Sequence, residues 1–225
     1  MNRTLTCLAG LVLTAASATA NATTIDLMTD GGFETTDSPQ GSQTSWNSSA
    51  YGSWAVGDPL TTVGSQLGVD PLEGSRMLRF GSSGGSSVDL YQIVSVEAWA
   101  AEIDAGEATV DIGVSFNAAG PGANAGLRLI GWNFAPTSFN GVQILGDSFE
   151  GLFLDGDVNT WESFAVNDIQ LNAGIRYIGI GLHEKTANPI AYADLASMTL
   201  SVPVPAPPAL MLFGLGLMLT GLRRR

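Results

Sequence analysis

The chain has 225 residues, of which 45% are hydrophobic and 13% charged, enough for one well-packed core. Between Asn21 and Ser201, five basic residues stand against all 21 acidic residues, a formal charge of −16. Such a surface repels phosphate backbones and anionic lipid head groups, so it argues against nucleic acid as a partner and favours cations. The same charge would also keep an exported protein soluble.

The first twenty residues have the three parts of a secretory signal peptide. Arg3 supplies the positive start, an apolar run covers 5–16, and Ala18–Ala20 forms an A-x-A cleavage site, with Ala20–Ala22 as an alternative. The only cysteine, Cys7, comes too early in the apolar run for a lipoprotein cysteine and would leave with the signal. The exported protein would then have no disulfide, thiolate nucleophile or zinc–thiolate site.

The segment 21–201 alternates apolar and polar residues with a period of two, the pattern of strands with one buried face. The clearest example is the apolar series Val110, Ile112, Val114 and Phe116. Further strands are predicted at 76–80, 88–96, 126–134, 162–166, 176–183 and 191–200, and a short helix at 97–105. Turn residues cluster at 81–87, 118–124 and 185–189. Many short strands separated by turns predict a single all-β sandwich domain.

A serine-rich stretch, SQTSWNSSAYGSW, places Trp46, Tyr51 and Trp54 among small polar residues. An aromatic ring stacks on the C–H face of a sugar while amides and hydroxyls bind its hydroxyl groups, so these three residues are the predicted glycan-binding site. For Trp54, packing in the core is the alternative. Trp132 and Trp161 are further candidates, although both lie in or beside predicted strands.

The stretch DGDVNTW, Asp155 to Trp161, imitates the start of a calcium-binding loop. It has Thr160 where such a loop requires Gly and Val166 where it requires a bidentate Glu. A hairpin turn is therefore the prediction for this stretch.

The sequence contains little that is typical of a catalytic site. His183 is the only histidine and lies at the end of a predicted strand, so Ser-His-Asp chemistry would depend on it alone. GSSGG, Gly81 to Gly85, lacks the Lys and the helix of a phosphate-binding loop. A glycosidase needs only two carboxylates, but no spacing singles out a pair. We therefore predict a protein that is not an enzyme.

Both ends of the domain resemble the galactose-binding-like jelly roll of many carbohydrate-binding modules. The resemblance rests on DGGFET (Asp30–Thr35), on Trp54, on the strands at 74–80 and 90–96, and on the last strand AYADLASMTL (191–200). It implies a jelly-roll β-sandwich and one structural Ca²⁺ held between the first and last strands by Glu34 and Asp194. The alternative is that these two acids are solvated or bind nearby hydrogen-bond donors instead of a metal. Leu195 stands where that family often has a second Asp.

The C-terminal segment combines a proline-rich lead-in, a short apolar run and three arginines. Ala209–Leu222 has 14 residues, about 21 Å as a helix against a hydrocarbon core of about 30 Å. Arg223–Arg225 would stay in the cytoplasm and leave the domain outside. The alternative to a temporary stop-transfer is a plain C-terminal anchor.

This arrangement resembles the PEP-CTERM sorting signals of Gram-negative bacteria, in the variant with an apolar residue in the middle of the box. The residues that carry the resemblance are Val202, Pro203, Val204, Pro205 and Ala206, followed by the apolar run and Arg223, Arg224 and Arg225. It implies recognition by an exosortase-type membrane protease and delivery to the cell surface or an extracellular matrix. Contact with the membrane would end with processing.

The sequence thus predicts an exported, non-catalytic jelly-roll protein that binds glycan, such as the exopolysaccharide of a biofilm. The alternatives are a purely structural matrix protein without a specific ligand and, as a third class, a glycan hydrolase or lyase. The predicted organisation is a signal peptide at 1–20, the sandwich at 21–201 and the sorting segment at 202–225.

Overall fold

The computed structural model describes residues 22–34, 51–52, 54–56, 61–80, 88–136, 145–185 and 189–203. The predicted signal peptide and residues 204–225, with most of the predicted sorting segment, lie outside the described residues, and so does Trp46. Among the described residues, no helix combines the length and the apolar composition needed to cross a bilayer.

The described part of the chain forms eleven strands and one short helical segment. The strands are β1 (Ala22–Asp26), β2 (Trp54–Val56), β3 (Thr61–Val63), β4 (Met77–Arg79), β5 (Val88–Ser95), β6 (Thr109–Ala118), β7 (Asn124–Trp132), β8 (Leu145–Phe153), β9 (Glu162–Gln170), β10 (Tyr177–Glu184) and β11 (Ala191–Pro203). Between β5 and β6, a turn of 3₁₀ helix (Glu97–Trp99) leads into α1 (Ala100–Asp104).

The strands build two antiparallel sheets. One has the order β3-β4-β11-β6-β9, with β1 also paired to β11, and the other has the order β2-β5-β10-β7-β8. The first and last strands are neighbours, from Ala22 opposite Pro203 to Asp26 opposite Thr199. The all-β sandwich predicted from the sequence is confirmed.

The main core lies between the two sheets and contains the apolar series of β6. Val110, Ile112, Val114 and Phe116 are at most 3% exposed and belong to one cluster of buried residues. Burial of one such side chain stabilises the fold by about 1.5–3 kcal/mol. The predicted strand is confirmed, but its polar face is buried as well from Gly113 onward, so the prediction of a single buried face is wrong there.

Several predicted elements differ in extent or kind. β8 was not predicted, and β11 continues three residues beyond its predicted end at Leu200, to Pro203. The segment 155–161 is not a hairpin turn, because β8 belongs to the five-stranded sheet and β9 to the six-stranded sheet. This segment instead carries the chain from one sheet to the other.

Candidate functional site

A β-bulge shapes β11 directly after Asp194. Asp194 lies opposite Ser115 and Ser197 lies opposite Gly113, so β11 contains one residue more than its partner strand β6. Leu195 takes up the extra residue with φ 52°, a conformation that bulky residues rarely adopt. Asp194 itself is fully buried.

Asp194 and Glu34, the two predicted calcium ligands, bind the same loop. Asp194 Oδ2 accepts hydrogen bonds from the backbone N–H groups of Leu72 (2.9 Å) and Glu73 (3.3 Å). Glu34 Oε1 accepts from the N–H groups of Ser75 (2.9 Å) and Arg76 (3.0 Å). We call Glu34, Asp194 and the loop 72–76 the acid clip. It joins β11 and the segment after β1 to the residues that lead into β4.

The two carboxyl groups of the acid clip differ in environment. Burial raises the pKa of Asp194, and the negative charge of Glu34 raises it further, while the N–H groups of the loop act in the opposite direction. The pKa of Glu34 is lowered, mainly by its hydrogen bonds from Arg76 and Ser75. Gly74 has φ +66°, and a Cβ atom there would overlap the Glu34 carboxylate, so this position requires glycine.

The acid clip borders an open depression of about 290 Å³. The depression is lined by Gly32, Glu34, Glu73, Gly74 and Leu195. Within the described residues, no three His, Cys, Asp or Glu side chains are grouped so that they could hold a metal ion. Calcium at Glu34 and Asp194 therefore stays a prediction.

Of the predicted aromatic site, the structure describes Tyr51 and Trp54. Trp54 is 4% exposed, its ring lies 5.2 Å from that of Phe33, and its Nε1–H donates to the carbonyl of Asp30 (3.0 Å). The indole belongs to the core and offers no free face to a sugar. The prediction of a ligand contact at Trp54 is therefore wrong, and the alternative of core packing describes it.

Tyr51 lies against a second aromatic residue, Tyr177, at one end of the outer face of the five-stranded sheet. Both tyrosines are partly exposed, and their ring centroids are 5.3 Å apart at an angle of 50°. The Tyr51 hydroxyl donates to the carbonyl of Pro136 (2.7 Å). Phe134, in the same loop as Pro136, is 45% exposed.

Polar groups accompany the two rings. The Tyr177 hydroxyl donates to Glu97 Oε2 (3.1 Å), and the Ser95 hydroxyl donates to the same oxygen (3.3 Å). Burial raises the pKa of both tyrosines, so both hydroxyls keep their protons and remain donors at neutral pH. We call Tyr51, Tyr177, Ser95 and Glu97 the tyrosine patch. Aromatic faces beside fixed hydrogen-bonding groups suit a sugar ring.

The sequence did not indicate Tyr177 or Phe134. Tyr177 joins Tyr51 because β10 pairs with β5 and β7, a long-range pairing for which no local motif exists. Among the other aromatic candidates, Trp132 is fully buried, and Trp161 donates its Nε1–H to the carbonyl of Asp70 (3.1 Å).

His183 and the segment 155–161, the sequence candidates for catalysis and calcium binding, have structural roles. His183 lies in β10 and is 4% exposed. In the segment between β8 and β9, Asp155 accepts from the Asp157 N–H (2.8 Å), and Asp157 accepts from the Asn159 N–H (3.0 Å). The acids of this segment thus stabilise their own turn.

Comparison with known proteins defines the fold class. No protein-family model matches the sequence, and no curated protein matches it. A candidate sugar-binding protein from Bacteroides thetaiotaomicron superposes with a TM-score of 0.52 at 10% identity, covering 77% of this chain and 99% of that chain. A cyclase from Fischerella sp. TAU, solved with 4-(1H-indol-3-yl)butan-2-one, gives 0.51 at 12% identity, covering 81% and 100%.

The carbohydrate-binding module TmCBM61, solved with β-1,4-galactotriose, is also similar. Its TM-score is 0.48 at 15% identity, covering 77% of this chain and 97% of that chain. The chain has a jelly-roll β-sandwich fold, which it shares with the Bacteroides protein and the cyclase. At these identities the likeness defines a fold and no activity, because one fold hosts many functions.

Proposed function

We propose that this chain is a non-catalytic glycan-binding protein whose ligand site is the tyrosine patch. The observation that carries the proposal is the pair of partly exposed rings, Tyr51 and Tyr177, beside the Glu97 carboxylate. A sugar ring would stack on the aromatic faces, and its hydroxyl groups would donate to the carboxylate. The candidate sugar-binding protein from Bacteroides thetaiotaomicron, which superposes on this chain, makes this ligand class a natural one to test.

Replacing the tyrosines should weaken glycan binding strongly without unfolding the protein. In affinity gels that contain neutral plant or bacterial polysaccharides, we expect Tyr51→Ala and Tyr177→Ala to weaken retention at least about tenfold, equivalent to about 1.4 kcal/mol. Phe153→Ala is the matched control. Phe153 is 70% exposed and lies opposite Asn124, at the far end of β7 from Trp132, which pairs with Tyr177.

The gels also separate the alternatives. Retention that the tyrosine variants leave unchanged would remove the patch from the proposal. A purely structural matrix protein predicts no retention by any glycan, and an enzyme predicts release of reducing sugar from a retained glycan. We expect retention without release.

We further propose that the protein is exported and sorted to the cell surface or matrix by an exosortase-type protease. The A-x-A site and the box with its apolar run and arginines support this proposal. Of the box, Val202 and Pro203 belong to β11 and lie opposite Thr23 and Ala22. A protease needs unpaired, extended chain, so the strand pairing would protect these two residues.

We therefore expect the mature C-terminus to lie beyond Pro203. Mass spectrometry of the intact protein from the native host would locate it. A C-terminus at or before Pro203 would show that pairing with β1 does not protect the end of β11 from the protease. The full-length chain free in the cytosol would contradict export itself.

We also propose one structural Ca²⁺ at the acid clip. The Glu34 charge raises the pKa of Asp194, a repulsion that a cation would relieve, and Glu34 lines the open depression. Because six N–H and O–H donors already bind these two carboxylates, water and backbone carbonyls would supply most of the six to eight ligands. We expect weak binding, on the order of 10⁻⁴–10⁻³ M, as in extracellular modules.

Melting curves with chelator and with added metal test this proposal. We expect several millimolar Ca²⁺ to raise the melting temperature and Glu34→Gln to remove the increase. A midpoint that chelator and Ca²⁺ leave unchanged would exclude the site.

A further inference from the structure

The domain has few basic groups, and they are spread over the fold. Between Asn21 and Ser201 there are four arginines and one lysine: Arg76, Arg79, Arg128, Arg176 and Lys185. Recognition of carboxylate or sulfate groups generally relies on arginine, whose planar guanidinium binds two oxygens at once. Whether the arginines are available for a ligand therefore decides which glycans the protein can bind.

Three of the four arginines already donate hydrogen bonds to groups of the domain itself. Arg76 donates from Nε to the Thr62 hydroxyl (2.9 Å) and from Nη2 to the Thr62 carbonyl (2.8 Å). Arg128 bonds the Tyr91 hydroxyl and lies 5.2 Å from the centre of that ring.

The other two arginines lie in the six-stranded sheet and beside α1. Arg79 lies opposite Tyr192 of β11, and its Nε atom is buried in the domain. Arg176, the residue before Tyr177, forms a bidentate ion pair with Asp104 of α1, at 3.0 Å and 2.7 Å. Asp104 thus neutralises the charge of Arg176, the arginine that precedes Tyr177 of the tyrosine patch.

The charge fixed at the tyrosine patch is negative. Glu97 Oε2 accepts from the hydroxyls of Tyr177 and Ser95, which hold the carboxylate beside the aromatic rings. A uronate, sulfate or pyruvate group placed there would meet this carboxylate and the field of a domain with a formal charge of −16. The hydroxyl of a neutral sugar would instead donate to the carboxylate.

From these contacts we infer that the glycan bound at the tyrosine patch is uncharged: a neutral polysaccharide, and not a uronic-acid, sulfated or pyruvylated polymer. The inference rests on the proposed glycan-binding function and narrows its ligand class. It follows from the hydrogen bonds that Arg76, Arg128 and Arg176 donate within the domain, from the burial of Arg79 Nε, and from the position of Glu97.

Affinity gels of the full chain in chelator, which removes cation bridging, test the inference. The neutral polymers are galactan, xylan and β-glucan, and the anionic polymers are polygalacturonate and alginate. We expect at least one neutral polymer to retain the protein, with a shift that is the same at about 0.01 M and about 1 M salt, where the Debye length falls from about 30 Å to about 3 Å. Tyr177→Ala should lose this retention and Phe153→Ala should keep it.

Two results would count against the proposals, and they are distinguishable. Retention by either anionic polymer at either salt concentration would overturn the inference while leaving glycan binding in place. Retention by no polymer, neutral or anionic, would overturn the proposed function and the inference with it.

Discussion

Asp194→Ala should be among the most destabilising single substitutions in this domain. The side chain is fully buried, and it accepts from the N–H groups of Leu72, Glu73 and Leu195. Alanine would leave three backbone donors without an acceptor and would free the loop of the acid clip from β11. Since an unsatisfied buried donor costs about 1–3 kcal/mol, we expect a loss on the order of 3 kcal/mol after allowing for water that enters the open depression.

Thermal melting in chelator would measure this loss without interference from metal. For a domain of this size it corresponds to a fall of about 6–12 °C in the melting temperature. Asp194→Asn keeps one acceptor oxygen but places an NH₂ group against the remaining N–H donors, so its midpoint should lie between those of the native protein and Asp194→Ala. Glu107→Ala, at an exposed acid, is the control. Equal midpoints for Asp194→Ala and the control would show that the hydrogen bonds of the clip do not stabilise the fold.

The second large effect is a loss of stability as the pH rises, caused by Glu184. This residue is 2% exposed, and burial raises its pKa from 4.5 to about 8, against the smaller opposing effects of the Ala191 backbone and of Arg79. Glu184 ends β10 on the same face as Ile178, Ile180 and Leu182, which belong to the core. The interior of the sandwich therefore favours the neutral carboxylic acid.

The direction of the pH effect follows from the raised pKa. Below about pH 4.5 the group is protonated in both states and has no effect on the free energy of unfolding. Between about pH 4.5 and 8 the folded protein keeps a proton that the unfolded chain releases, so stability falls, and above about pH 8 the fall levels off. At about 1.36 kcal/mol for one pKa unit, the total is on the order of 5 kcal/mol.

Glu184→Gln should remove this dependence, because the amide has nearly the same shape and does not titrate. We expect the variant to be more stable than the native protein at pH 8.5 and of similar stability at pH 4.5, measured by denaturant unfolding at both values. Glu107→Gln serves as the exposed control. If the native protein and Glu184→Gln lose stability in parallel between these pH values, the buried acid is not the cause.

The sequence was informative where the local pattern and the tertiary environment agree. In β6, period-two alternation coincides with a position in the middle of a sheet, so each apolar residue of the series is buried. In β8 the pattern fails because the strand LGDSFEGLF contains two glycines and two acids, which favour turns, and only its pairing with β7 makes it a strand.

The candidate site could be predicted only in part. The motif DGGFET and the last strand predict that Glu34 and Asp194 share a calcium ion, which stays a prediction, and in the structure both side chains bind the loop 72–76. The aromatic prediction selected residues close together in sequence, whereas the structure joins Tyr51 to Tyr177 and places Trp54 in the core. Whether an aromatic ring is buried or faces solvent depends on which strands pair, and the sequence of one segment does not contain that information.

The most direct test of the account is a crystal structure of the protein with the polysaccharide fragment that gels select. We expect a sugar ring on Tyr51 or Tyr177, with a sugar hydroxyl within hydrogen-bonding distance of Glu97. A fragment bound elsewhere on the sandwich, with the tyrosine patch unoccupied, would contradict the account.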